Sequence, residues 1–135
     1  MVLPDTAVWA DYFRGVSNWQ TDRLDFLLSS EPVGVGDLIL TEVLQGFRHD
    51  SDFRKVQRYF GYLPFYRLGG YEICLQAARN YRSLRSKGVT VRKTIDVIIG
   101  TACIKWNFEL LHNDRDFEPL EKVLGLRVVR EGRVF

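Results

Sequence analysis

Residues 94–117 read TIDVIIGTACIKWNFELLHNDRDF, and the fold turns on how they are parsed. Ile95 to Trp106 is apolar almost all round, through Val97, Ile98, Ile99, Ala102, Cys103 and Ile104. That pattern predicts a helix buried on most of its faces. Thr94 is placed to cap it, and Gly100 would let another element approach closely. Asp96, in the first turn, is the anomaly: a carboxylate at the mouth of a buried helix. Phe108–His112 then reads as a strand, Asn113–Asp116 as its C-terminal turn, and Phe117–Leu124 as a short helix closed by Gly125.

Outward from that stretch, strands and helices alternate. Met1 to Pro4 is a first strand that ends at Asp5, with Thr6 placed to cap a helix over Ala7–Arg14. A second helix is predicted over Asn18–Ser29, and Glu31-Pro32 breaks it. Val33, Val35, Leu38, Ile39 and Leu40 read as a second strand and its exit, after which Thr41-Glu42 opens a helix. Another helix is expected over Ser51–Phe60, a brief third strand over Phe65–Leu68, and a strong helix over Tyr71–Ser86 that ends at Lys87-Gly88. Leu126–Val129 is a fifth strand, and the tail beyond it is polar apart from Val134 and Phe135. The alternation argues for a parallel sheet of about five strands covered by helices on both faces. With 135 residues and neither an internal repeat nor a low-complexity linker, residues 1–135 are expected to form a single domain.

Composition excludes more than it assigns. Hydrophobic residues make up 46% and charged residues 27%, ordinary for a globular protein. No apolar run is long enough to span a bilayer, and the N-terminus lacks the features of a signal peptide, so a cytoplasmic protein is expected. The two cysteines, Cys74 and Cys103, have apolar neighbours and no zinc-site spacing, and are read as small buried hydrophobes. His49 is expected at the surface, and His112 as a supporting group beside the acidic turn. The net charge of +2 announces no global field, but Arg79, Arg82, Arg85, Lys87, Arg92 and Lys93 form a basic block just before Asp96. That block reads equally as a solvated face and as a phosphate-binding surface. Trp9, Phe13, Trp106 and Phe108 are expected in the core rather than as base-stacking platforms. The aromatic run Tyr59, Phe60, Tyr62, Phe65 and Tyr66 suits either core or a contact surface.

Five carboxylates carry the chemistry: Asp5, Glu42, Asp96, Asp114 and Asp116. Each is expected where a strand or loop hands over to a helix. In open α/β sheets, ligands bind at the carboxyl ends of the strands. If the first and fourth strands are neighbours, these side chains share one site. Singly, each acid is adequately explained as a helix cap or turn residue. Jointly, acids facing each other call for a cation, and an all-oxygen site suits Mg²⁺ or Mn²⁺ rather than zinc. Such ions orient and acidify water and neutralise charge on a phosphate, which points to phosphodiester chemistry. Arg85, Lys87, Arg92 and Lys93 are the candidate substrate-binding cations.

On four stretches the chain resembles the PIN-domain nucleases, and within them the VapC toxins of toxin–antitoxin pairs: LPDTAVW (3–9), TEVLQG (41–46), TIDVIIG (94–100) and LHNDRDF (111–117). The resemblance spans almost the full length and rests on the order and spacing of these stretches. It implies a three-layer α/β/α domain with strand order 3-2-1-4-5 and Mg²⁺-dependent endoribonuclease activity. Asp5, Glu42, Asp96 and Asp114 would be the core acidic quartet, Asp116 a further metal ligand, and Thr6, Thr94 and Asn113 supporting polar groups. It also implies a homodimer silenced by a cognate antitoxin in a hetero-oligomeric complex, with RNA as substrate. Pro4 departs from the family by removing a backbone donor from a central strand, so local irregularity of the sheet is expected there. Ala7 departs by removing polar support near Asp5. Two other readings are a PIN-like nuclease of RNA maturation or structured DNA, and a non-catalytic receiver-like signalling domain. The receiver-like reading lacks a clear Lys after the fourth or fifth strand.

Overall fold

The computed structural model describes residues 1–132, so Val134 and Phe135 of the tail lie outside the described residues. The elements are β1 (Val2–Pro4), α1 (Thr6–Phe13), α2 (Trp19–Leu28), β2 (Val35–Gly36), α3 (Asp37–Leu44), α4 (Asp50–Phe60), β3 (Phe65–Tyr66), α5 (Tyr71–Ser86), α6 (Thr94–Trp106), β4 (Glu109–Leu111) and α7 (Glu118–Leu124). A 3-10 turn, Arg115–Phe117, precedes α7. The fold is mixed α/β, with seven helices and parallel strands among the described residues. The helices pack in two groups: α1 on α2 and α3, with α4 on α3; and α5 on α6 and α7. The strands touch both groups, α3 meeting β2 and α6 meeting β4.

The strands are shorter than the apolar pattern suggests. β1 pairs with β4 and β2 with β3, in parallel. Single parallel bridges add Val33 beside Val2 and Val128 beside Leu110. Each pairing is compatible with the order 3-2-1-4-5, but the described residues form two separate two-stranded sheets with no continuous five-stranded ladder, and the expected fifth strand is reduced to the bridge at Val128. Pro4 accounts for part of this. Asp5 N–H bonds the Leu111 carbonyl at 2.9 Å and Glu109 N–H bonds that of Met1, so odd residues of the strand face β4. Val2 N–H bonds the Pro32 carbonyl, and its own carbonyl accepts from Gly34, so even residues face the β2 side. Pro4 falls on that side by alternation and has no N–H to give. The β1–β2 contact therefore stops at one bridge.

The second strand needs correction. Leu38, Ile39 and Leu40 are helical, because α3 begins at Asp37, four residues before Thr41. The run 33–40 is apolar enough for either state, and periodicity does not separate a buried strand from a buried helix. The deciding feature is Asp37: its carboxylate accepts from Leu38 N–H at 2.8 Å and from Leu68 N–H at 2.9 Å. It thereby satisfies a free helix N-terminal donor and ties α3 to the chain beyond β3. Gly36 lets Leu68 lie against the backbone, since a Cβ there would meet the Leu68 side chain at 2.2 Å.

One core runs through the domain. Leu3, Trp9, Leu24, Ile39, Leu84, Ile99, Leu110 and Phe117 are all fully buried. α6 is buried as expected, and Cys103 is buried with it; Cys74 is instead exposed on α5. Trp9 and Phe108 are core, but Trp106 is half-exposed at the end of α6. In the aromatic run, Phe60 is buried while Tyr62 and Phe65 are exposed. A Cβ on Gly100 would meet Leu120 at 2.2 Å, the close approach of α7 to α6 that the sequence suggests. Leu120 is itself fully buried and has nowhere to retreat. Gly100→Ala is expected to cost ~1–3 kcal/mol through overpacking, measured as a lower urea midpoint at unchanged slope.

Candidate active site

Two elements of the backbone bring the acids together. The bond from Asp5 N–H to the Leu111 carbonyl pins the end of β1 to the end of β4. Asp5 therefore stands beside the turn that carries Asp114 and Asp116. α6 delivers Asp96 from its first turn. Asp96, Asp114 and Asp116 each offer a carboxylate oxygen, and these oxygens all lie within 4.8 Å of one another. Asp5 and Asp96 are buried, at 6% and 5% exposure; Asp114 and Asp116 are half-buried.

The simplest role for an acid at a helix start is capping, and the structure allows that reading to be checked acid by acid. Asp5 occupies the N-cap position of α1 in extended backbone, yet its side chain makes no cap hydrogen bond. Asp96 Oδ2 is buried without a hydrogen-bond partner. Asp114 does cap: its Oδ1 accepts from Asp116 N–H at 2.9 Å. Asp116 Oδ2 is buried without a hydrogen bond, although Arg92 Nε approaches it at 3.4 Å as an ion pair. Glu42 is not at a helix start at all. It lies within α3, where Thr6 Oγ1 donates to its Oε1 at 2.7 Å.

The supporting groups divide. Thr6 holds Glu42. Asn113 Nδ2 reaches Asp11 Oδ2 at 3.4 Å rather than any of the five acids. Thr94 stands exposed as the first residue of α6, and the N-cap position expected of it belongs to Lys93. Among the basic residues, Lys93 Nζ lies 3.9 Å from Asp114 Oδ2 and Arg92 pairs with Asp116. Arg85 lies over the Tyr81 ring and Lys87 Nζ reaches Ser83 Oγ, so these two are engaged on α5 itself. Sequence reasoning passed over Asp11. It accepts from Arg14, Asn18 and Asn113, linking α1 to the start of α2 and to the acidic turn. Its i,i+3 pairing with Arg14 was the visible signal; the bond to Asn113 had none.

Burial pushes the Asp5 carboxyl up to about 7, reinforced by the charges of Asp96, Glu42 and Asp114 against the bond from Thr6 N–H. Burial likewise raises Asp96 to about 6; Lys93 opposes this, while Asp114, Glu42 and Asp116 add to it. Burial pushes His112 below its ordinary value. Two buried oxygens without hydrogen bonds, on carboxylates crowded against other carboxylates, are a deficit of positive charge. An all-oxygen donor set of this kind fits a hard divalent cation.

Fold and acid cluster together define a mixed α/β domain with an acidic edge, of a donor set that could hold a metal ion, at the ends of two neighbouring parallel strands. Within that class the chain is similar in sequence to the VapC ribonucleases. It is 29% identical over 129 residues to VapC ribonuclease Mb1587 of Mycobacterium bovis and, equally, to ribonuclease VapC11 of Mycobacterium tuberculosis, covering 94% of this chain and 96% of each relative. No protein-family profile matches it. The fold matches that of VapBC2 from Rickettsia felis, solved bound to a promoter DNA fragment, with a TM-score of 0.74 at 16% identity over 96% of this chain and 98% of that one. It also matches VapBC-1 from nontypeable Haemophilus influenzae, with a TM-score of 0.72 at 16% identity over 96% and 97% of the two chains.

The raised values have a consequence for stability. An acid with a folded pKa above its unfolded value of 3.8 binds more protons in the native state. Its contribution therefore falls as pH rises, here from about 4 to 7 for Asp5 and to 6 for Asp96. Asp5→Asn removes the larger part of that slope. In chelator-treated protein it is expected to raise the melting temperature at pH 8 by several degrees, corresponding to ~2–4 kcal/mol, and to change it little at pH 4. Saturating Mg²⁺ should raise the wild-type melting temperature at pH 8 and have less effect on the variant.

Proposed function

We propose that this protein is a metal-dependent endoribonuclease of VapC type, the toxin of a toxin–antitoxin pair. The observation that carries this reading is the pair of buried oxygens, Asp96 Oδ2 and Asp116 Oδ2, lacking hydrogen bonds within a cluster that includes Asp114. Similarity to ribonucleases across 94% of the chain supports it. Asp5, Glu42, Asp96 and Asp114 are the proposed catalytic carboxylates, and these four together with Asp116 the proposed ligands of Mg²⁺ or of Mn²⁺ in its place. When bound, the ion supplies an acidified water and positive charge against the phosphate.

The chain's own residues supply position and charge. Asp96, Asp114 and Asp116 hold the cation through oxygens already converging. Glu42, fixed at Oε1 by Thr6, keeps Oε2 to accept a proton from water beside the phosphate. In-line attack by water needs no protein nucleophile. Arg92 and Lys93 stand at the rim, where the anionic oxygens of the RNA backbone would take their charge from Asp116 and Asp114. Arg85 and Lys87, at the C-terminal end of α5, are further proposed contacts for the RNA backbone. The substrate is single-stranded or looped RNA, because the deep groove of an A-form helix shuts side chains out.

A cognate antitoxin as partner is supported by the matched solved structures, which are toxin–antitoxin assemblies; another, from Klebsiella pneumoniae, has a TM-score of 0.64 at 17% identity. A homodimer within such an assembly, acting in the cytoplasm, completes the reading; no described helix is long and apolar enough to cross a membrane. Asp96→Asn is expected to lower Mg²⁺-dependent cleavage of RNA by about 100-fold or more, a loss typical of removing one electrostatic stabiliser of a transition state. It should also abolish growth arrest on induction while the circular dichroism spectrum stays that of the wild type. Wild-type cleavage by both Asp96→Asn and Asp5→Asn would refute the proposal.

A further inference from the structure

We propose that His112 is the positioning residue of the acidic turn, its imidazole setting where the Asp114 carboxylate faces. Nδ1 of His112 accepts the backbone N–H of Asp114 at 3.1 Å. The ring cannot drift from that bond, because it rests on Phe117, with centroids 5.0 Å apart, and Phe117 is fully buried. Asp114 then repeats the pattern: its Oδ1 accepts the N–H of Asp116 at 2.9 Å. Two side-chain-to-backbone bonds thus run 112 to 114 to 116, each spanning two residues in the manner of an Asx turn. One oxygen of Asp114 is consumed by the backbone. Its other oxygen is the one that Lys93 approaches at 3.9 Å.

The choice of residue follows from charge. Asp at 112 would accept the same N–H but add another anion beside a cluster already short of positive charge. An aliphatic side chain would fill the space over Phe117 and leave the Asp114 N–H without its acceptor. A neutral imidazole accepting at Nδ1, with its proton on Nε2, supplies the acceptor without the charge.

The inference rests on the reading of the acids as a cation centre, and it makes an ordering prediction that packing alone does not. His112→Leu keeps apolar bulk on Phe117 and loses the acceptor. His112→Asn loses the bulk but restores an acceptor at Asx-turn spacing. If His112 served only as packing, Leu would be the milder change. Positioning predicts the reverse. Mn²⁺ affinity measured by electron paramagnetic resonance is expected to weaken about 10–100-fold in His112→Leu, the range for loss of a group that orients a ligand, and to recover most of that loss in His112→Asn. Amide exchange at Asp114, followed by NMR in the same metal-free proteins, should accelerate in Leu and slow again in Asn. Wild-type Mn²⁺ affinity in the Leu variant, or an Asn variant no better than Leu, would overturn the proposal. If the wild type itself fails to bind Mn²⁺, the cation reading falls; the hydrogen bond is then judged by Asp114 exchange alone, and equal exchange in Leu and wild type would overturn that too.

Discussion

Buried carboxylates facing one another cost free energy twice, once for leaving water and again for mutual repulsion. Asp5 meets both costs, and burial is the larger. The rest of the site is arranged around that constraint rather than around relieving it within the protein. Thr6 donates its hydroxyl to Glu42 and not to Asp5. Asp96 Oδ2 has no donor. A fold that merely tolerated these acids would have supplied hydrogen bonds to them, as it does for Asp37 with two backbone N–H groups. The contrast between Asp37, whose Oδ1 takes two backbone N–H groups, and Asp96, whose buried Oδ2 takes no donor, separates structural acids from the candidate site.

The strain is held in place by rigid elements. Asp5 leaves a strand whose end is bonded to β4, and Asp96 leaves the first turn of a helix with Val97, Ile99, Ala102 and Cys103 in the core. Phe117 anchors the turn carrying Asp114 and Asp116. None of these can retreat without opening the core, so the carboxylates cannot relax apart. That is the condition under which an ion site is preorganised instead of assembled on binding.

Much of this was legible in the chain. A helix apolar on nearly every face, with one acid in its first turn, could be read directly from residues 94–106, and the acidic turn after a short apolar strand from residues 108–116. The adjacency of the first and fourth strands was not: it depends on a hydrogen bond between Asp5 and Leu111, 106 positions apart, which no local pattern encodes. The start of α3 was missed for a different reason. An apolar run of eight residues fits both states, and what decides it is a tertiary bond from Asp37 to Leu68 N–H. As a result Glu42 was expected at a helix mouth and lies mid-helix, where only its partner Thr6 reveals its direction. The exposure of Cys74 and Trp106 was likewise invisible, because an apolar neighbourhood in sequence does not say which face of α5 meets α6, nor where the end of α6 leaves the core.

The basic residues at the rim sharpen what kind of charge the site needs. Arg92 and Lys93 already pair with Asp116 and Asp114, yet both are largely exposed, at separations of 3.4 and 3.9 Å. Pairs of that kind contribute little, because water and side-chain entropy compete with them. The numbers agree: Lys93 pulls Asp96 down, and its carboxyl still stands at about 6. Surface cations therefore do not fill the deficit, and only charge placed inside the cluster, close to Asp96 and Asp5, can do so. On the proposed reading a small divalent ion fits that description, because it is compact enough to stand among carboxylate oxygens already within 4.8 Å of one another.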